Sequence, residues 1–131
     1  DANQPMLILV DLDGLKLIND KYGHARGDEL LRAFARALQE FKIDHVTSFR
    51  LGGDEFAIFA RKHHEAILRD KLQAIERSLG AQGFAESGVS FGVAFASESS
   101  AAAEMFNAAD RRMYETKTLK RTGRHPVVPL S

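Results

Sequence analysis

Residues 6–14 read Met6-Leu7-Ile8-Leu9-Val10-Asp11-Leu12-Asp13-Gly14: five apolar residues in a row, two carboxylates around a leucine, then glycine. A run from Met6 to Val10 with no polar alternation suits a strand buried on both faces, hence a central one. It runs out into Asp11-Leu12-Asp13-Gly14, where carboxylates can face a pocket without being desolvated inside the core. Next, Leu15 to Tyr22 reads as a short helix closed by Gly23, with a turn over Gly23 to Gly27. From Asp28 to Phe41 the residues Leu30, Leu31, Phe34, Leu38 and Phe41 recur at helical spacing, leaving Glu29, Arg32, Arg36 and Gln39 for solvent.

Two strand-like runs follow, His45 to Arg50 and Glu55 to Ala60, joined by a tight Gly52-Gly53 connection that signals a hairpin. Ile67, Leu68, Leu72, Ile75 and Leu79 share one face of a second long helix, and Gly80, Gly83 and Gly88 punctuate the loop beyond it. In Val89 to Ala96 the large residues Val89, Phe91, Val93 and Phe95 alternate with Ser90, Gly92, Ala94 and Ala96. One face of that strand is filled and the other is bare enough for close helix packing. A last helix runs from about Ala101 to about Arg121, with Ala102, Phe106, Ala109 and Met113 on its buried stripe, before Gly123 and Pro126 end it. The order β-α-α-β-β-α-β-α implies an α+β fold: a mostly antiparallel central sheet flanked by helices.

With 131 residues, 44% of them hydrophobic and 27% charged, the chain builds one core, so residues 1–131 are read as a single domain. Eighteen basic and eighteen acidic side chains cancel. That argues against a protein gripping a nucleic-acid polymer, so any polyphosphate site is built locally. No cysteine is present, which excludes disulfides and thiolate-metal sites and is compatible with a reducing cytoplasm. The apolar run Met6–Val10 is too short to span a bilayer, so direct membrane insertion is not expected and any anchor of a parent protein lies elsewhere. The five histidines have no spacing that makes a metal set; His63 and His64 are read as solvated, and Tyr114 and the phenylalanines as core.

Hard oxygen donors at a strand end, Asp11 and Asp13, suit Mg²⁺, although either aspartate can instead cap the following helix. A second acidic pair, Asp54-Glu55, sits directly after Gly52-Gly53, where no side chain blocks the approach of a ligand. A metal site needs the two pairs to converge; apart, the second is a solvated turn.

Arg50-Leu51-Gly52-Gly53-Asp54-Glu55-Phe56 matches, unbroken, the signature of the GGDEF family of diguanylate cyclases, and the rest of the chain resembles that family in order. Asp11-Leu12-Asp13-Gly14-Leu15-Lys16-Leu17-Ile18-Asn19-Asp20, with Gly23-His24 and Gly27-Asp28, is similar to its upstream signature, with Leu15 in place of the usual phenylalanine. Val89-Ser90-Phe91-Gly92-Val93-Ala94 resembles its penultimate core strand, and Ala109-Asp110, Met113-Tyr114 and Lys117 its last helix. Several ordered motifs are far more specific than one.

The resemblance implies a fold like nucleotidyl cyclase catalytic domains and polymerase palms. It implies a reaction in which two GTP molecules, one on each of two subunits, condense into cyclic di-GMP and pyrophosphate, with two Mg²⁺ ions in each half-site, or Mn²⁺ in their stead. By position, Asp11, the Leu12 carbonyl, Asp54 and Glu55 resemble the metal ligands, with Glu55 also assisting proton removal. Asn19 and Asp28 resemble the guanine readers; without the family they would be a solvent-facing helix residue and a carboxylate favoured by a helix N-terminus. Lys16, near the start of the first helix, and the exposed N–H groups around Gly14 and Leu15 can bind phosphate oxygens. Lys117 and Arg121, on one helix face, are candidate cations, with Lys120 and Arg124 as rivals because the usual ending of this helix is interrupted.

Two departures follow from the same comparison. The positions of the family's inhibitory Arg-x-x-Asp motif hold Ile43 and Val46, so that product-binding site is expected to be missing. The usual N-terminal helix is not among these residues, and a sensory domain is expected in the parent protein. A catalytically silent GTP-binding or partner-binding module is the alternative function, and a cytoplasmic location is expected for either.

Overall fold

The computed structural model describes residues 1–99 and 101–121. The apolar run becomes β1 (Pro5–Asp13), and its two-sided burial follows from strand parity: Met6, Ile8, Val10 and Leu12 point one way, Leu7 and Leu9 the other, all shielded from solvent. After β1 come α1 (Leu15–Tyr22), α2 (His24–Gln39), β2 (Thr47–Gly52), β3 (Glu55–Arg61), α3 (Glu65–Ala81), β4 (Gly88–Phe95) and α4 (Ala102–Arg121), with single 3₁₀ turns before α3 and after β4. The element order is the one the sequence implies. The four strands lie in the order β2-β3-β1-β4, with every pairing antiparallel.

The sheet separates two unequal cores. On one side Ile8, Val10, Phe56, Ile58 and Val93 meet Leu30 and Phe34 of α2 and Leu68 and Leu72 of α3, with the Phe34 and Phe56 rings 4.9 Å apart. On the other side Leu7, Leu9, Ala57 and Ala94 are covered by Met105, Ala108, Ala109 and Met113 of α4 alone. The small-residue face of β4 does what its composition implies. A Cβ at Gly92 would collide with the Ala109 carbonyl and the Met113 amide, so α4 lies directly on the strand backbone.

Several expected boundaries shift. α2 starts at His24, so residues 24–27 are helical rather than a turn; Gly23 alone makes the break at φ 94°, ψ 162°. The first hairpin strand begins at Thr47 because His45 has φ 65° and cannot continue a strand. Gly52 stays in β2 and pairs with Glu55 across a bulge, so the turn itself is Gly53-Asp54. On α4 the buried stripe is Met105, Ala108, Ala109 and Met113; Ala102 and Phe106 are exposed, a rotation that follows from docking on Gly92.

Ile67, Phe49, Phe59 and Tyr114 are also exposed, where the sequence reading made them core; Phe49 and Phe59 lie on the face of Ala57, where α4 covers β4 and β1 and leaves the β2–β3 end open. His64, expected in solvent, is buried and accepts the Arg61 N–H through Nδ1 at 3.0 Å, holding the 3₁₀ turn. Among the described residues no helix is long and apolar enough to cross a membrane. Gly123 and Pro126, expected to end the last helix, lie outside the described residues.

Candidate functional site

The C-terminal end of β1 lies where α1, the β2–β3 turn, the start of β4 and the last turns of α4 meet. Parity decides what it presents. Asp11 continues the row of Leu7 and Leu9, so its carboxylate points to the α4 side, where Lys117 Nζ lies 2.5 Å from Oδ2. Lys117 is also 3.7 Å from Asp13 Oδ1. The Ser90 hydroxyl, fully buried, donates to Asp13 Oδ2 at 2.6 Å.

Contrary to the expectation that these carboxylates escape desolvation, Asp11 is only 6% exposed. Burial pushes its carboxyl up to about 6; the hydrogen bond from Lys117 pulls against this, and the nearby Asp54 and Asp13 carboxylates add to it. Burial also acts against the charged form of Lys117, but the hydrogen bond and charge of Asp11, with Asp13 and Asp54 behind it, leave its ammonium titrating above the ordinary lysine range. Neither aspartate caps α1, whose N-cap is Gly14 with no side-chain cap bond, so the capping alternative fails.

The two acidic pairs converge. The Leu12 N–H donates to the Asp54 carbonyl oxygen at 2.9 Å, which ties the hairpin turn to the end of β1. Glu55 is the cross-strand partner of Asp11 and therefore shares its face, with its side chain exposed. Arg50 clasps the turn from beneath, with Nε and an Nη 3.2 and 2.7 Å from the Gly53 carbonyl oxygen. Gly52 and Gly53 have nothing within 4 Å of where a Cβ would stand, so the turn is open to a ligand.

A cleft of about 850 Å³ opens beside this point, lined among others by Leu12, Asp13, Gly14, Leu15, Lys16, Asp54, Glu76, Glu86, Gly88, Lys117 and Lys120. Gly14 enters α1 at φ 83°, and a side chain there would strike the Glu86 carbonyl, so glycine leaves the first N–H groups of α1 at the cleft wall. Lys16 is exposed at its mouth. Asn19, half-buried, stands against α2: its Oδ1 fills the space a Cβ on Gly27 would need, and Asp28 follows directly. Because α2 begins at His24, Asp28 is its fifth residue, past the first turn, so a role at the helix N-terminus is ruled out. Asn19, Asp28, Glu55, Gly52 and Gly53 are not part of the cleft wall. The side chain of Arg121, and Arg124 altogether, lie outside the described residues.

Asp11 Oδ1 and Asp13 Oδ1 are buried side-chain oxygens with no hydrogen-bond partner among the described residues. Orphaned buried carboxylate oxygens fit a hard divalent cation. No cluster of three acidic or histidine side chains is preassembled among the described residues.

Glu76, Ser90, Glu86 and Lys120 enter the site from positions the sequence reading passed over or left as rivals. Glu76 follows the buried Ile75 on α3, and only the tertiary packing of α3 beside β4 brings its carboxylate to the Val89 N–H, 2.6 Å away. Ser90 was legible only as a small residue; its partner Asp13 is 77 positions away.

The family model for "Diguanylate cyclase, GGDEF domain" matches residues 1–123. Diguanylate cyclase VdcA of Vibrio cholerae is 36% identical over 98% of this chain and 40% of its own length. The chain spans about two fifths of the length of VdcA and of diguanylate cyclase DgcS of Shewanella oneidensis. Among solved structures, a microbial GGDEF domain studied for its interaction with bis-(3′,5′)-cyclic di-GMP superposes with a TM-score of 0.72 and 33% identity, over 88% of this chain and 74% of that one. The active GGEEF domain of a diguanylate cyclase from Vibrio cholerae gives a TM-score of 0.72 and 30% identity, over 92% and 80%.

Proposed function

Since the chain belongs to the GGDEF domain family of diguanylate cyclases, we propose that it is one half-site of an enzyme that condenses two GTP molecules into cyclic di-GMP and two pyrophosphates. The observation that supports this most is the pair of buried carboxylate oxygens that accept no hydrogen bond among the described residues, Asp11 Oδ1 and Asp13 Oδ1, beside a cleft that also holds Asp54, Lys117 and the start of α1.

In this reading Asp11, Asp54, Glu55 and the Leu12 carbonyl hold Mg²⁺, or Mn²⁺ in its place, two ions to a half-site. A metal held by these residues would supply Lewis-acid chemistry, favouring ionisation of the 3′-hydroxyl and offsetting charge on the leaving pyrophosphate. The remaining work falls to the chain. The N–H groups of Gly14 and Leu15, with Lys16 and Lys117, hold the triphosphate, and Arg121 adds a further cation. The open Gly52-Gly53 turn lets the α-phosphate lie close to the backbone. Asn19 and Asp28 read guanine, whose acceptor edge at O6 and donor edge at N1 and N2 need an amide and a carboxylate respectively. Glu55, exposed on the face of Asp11, accepts a proton from the 3′-hydroxyl.

Each 3′-oxygen attacks the α-phosphorus of the opposing nucleotide, which forms one phosphodiester and expels one pyrophosphate; two such events close the ring. A single copy holds one GTP and one hydroxyl, so the reaction needs a second copy facing it, brought there by a sensory domain of the parent protein. GTP supply puts the reaction in the cytoplasm.

The test is chromatographic detection of cyclic di-GMP after incubating the chain, at several concentrations, with GTP and Mg²⁺. Product that rises more steeply than protein, and that Asp54→Asn abolishes without loss of the fold, is the expected result. GTP binding with no product at any concentration assigns the domain to the silent, regulatory class instead.

A further inference from the structure

One cation of the cleft remains without a part in that chemistry. Lys120 Nζ is held by Glu76 Oε2 at 2.7 Å and by the Val89 carbonyl oxygen, and stands 3.8 Å from Asp13 Oδ2. Glu76 in turn accepts the Val89 N–H at 2.6 Å, so one carboxylate oxygen anchors both the edge strand β4 and the ammonium. Asp11, Lys117, Asp13, Lys120 and Glu76 thereby form a row of alternating charge from β1 to α3, with the two lysines of α4 between the acids.

The two lysines are differently committed. Lys117 is bound to Asp11 and little exposed. An ammonium has three donor hydrogens. Lys120 gives two to Glu76 and Val89, and the gap to Asp13 is too long for a third bond. Its side chain is 41% exposed and lines the cleft, so among the described residues the remaining donor has no partner and faces an anion's approach. A lysine paired only for surface stability would contribute little and would not need a backbone carbonyl as a second anchor.

We infer that Lys120 is a further triphosphate-binding cation of this cleft, beside Lys16 and Lys117, and that Glu76 is the residue that positions it. This rests on the GTP reading above and goes beyond it by adding Lys120 and Glu76 to the phosphate subsite, with nucleoside triphosphates as the ligand class.

The probe is 3′-deoxy-GTP with Mg²⁺, which lacks the attacking hydroxyl and so reports binding without turnover; guanosine serves as the control without phosphates. Calorimetric titration of the full chain and of three variants gives the readout. Lys120→Gln is expected to weaken 3′-deoxy-GTP about five- to tenfold, leaving guanosine affinity and the melting temperature unchanged. Lys120→Arg restores affinity to within about twofold, since the charge and the reach survive. Glu76→Gln is expected to weaken 3′-deoxy-GTP about threefold because the ammonium is released, whereas mere repulsion between Glu76 and phosphate predicts tighter binding.

Unchanged affinity in Lys120→Gln overturns the inference and leaves the GTP reading standing. Tighter binding in Glu76→Gln overturns the positioning role. Failure of the unsubstituted chain to bind 3′-deoxy-GTP overturns both the inference and the reading beneath it.

Discussion

Lys117 and Asp11 are 106 residues apart in sequence, and their side chains meet at 2.5 Å, one on the last helix and one on the first strand. The contact does not cancel the cost of burying the carboxylate. Asp11 still prefers its proton far more than a free aspartate does, with a carboxyl near 6 against 3.8. A raised folded-state value means that stability is fully present below the unfolded value and is lost as pH rises from about 4 to about 6; above that, the charged form carries the whole penalty.

Asp11→Asn is therefore expected to stabilise the metal-free fold at pH 7 by about 3 kcal/mol, the order implied by the shift, while weakening Mg²⁺ or Mn²⁺ binding at least tenfold. Thermal melts with a chelator present and Mn²⁺ titrations check the two halves. A lower melting temperature in the chelator would refute the claim that this carboxylate is held at a cost.

Gly92→Ala tests how closely α4 is docked. The new methyl meets the backbone of Ala109 and Met113, not a flexible side-chain end, so the helix must move. Overpacking of this kind costs about 3 kcal/mol, a fall of about 10 °C in melting temperature. Since Lys117 sits further along the same helix, GTP affinity should fall with it. A melt within about 2 °C of the parent, on the same scale, would show that the interface has slack.

Gly27→Ala is expected to act at a distance from any ligand. Its methyl would occupy the place of Asn19 Oδ1, the end of a side chain that can swing away, so the fold survives. Preference for GTP over ATP should drop about tenfold if Asn19 reads guanine, an effect of one lost hydrogen bond to a buried edge. Matching losses in Asn19→Ala and Gly27→Ala support the reading; full preference in both removes Asn19 from it.

His64 supplies a pH dependence. Burial, then the neighbouring His63, His45 and Arg61, hold its pKa below the ordinary 6.5, and its neutral Nδ1 is needed to accept the Arg61 N–H. A depressed histidine stabilises the fold above the unfolded value, and that contribution is lost as pH falls below 6.5 and through the lower folded-state pKa. The melting temperature should decline between pH 7.5 and 5.5, and less steeply in His64→Asn, which keeps an acceptor without the titration. Identical slopes in the two proteins would dismiss His64 as the cause.

Much of this architecture could be read from local pattern. The unbroken apolar run of β1, the alternation of large and small residues in β4 and the hairpin signal of Gly52-Gly53 each mark a local element, and with the helical spacings they give the order of elements. What local pattern could not supply was rotation and distance. Nothing in α4 alone says that its stripe is Met105, Ala108, Ala109 and Met113 and leaves Phe106 outside; that is decided by the bare backbone of Gly92 on another element. Likewise His64 looks like a surface histidine until its ring is found capping the turn it belongs to. The acidic site residues were legible from motif, whereas the Lys120–Glu76 pair, 44 positions apart, depended on α3 and α4 flanking the same strand end.

The alternation along β1 turns the site into a reading frame. Inserting or deleting one residue between Met6 and Val10 would reverse every side chain after it, sending the Asp11 carboxylate into the apolar layer under α2 and α3 and Leu12 out toward Lys117. This strand therefore tolerates substitution but not a change of length.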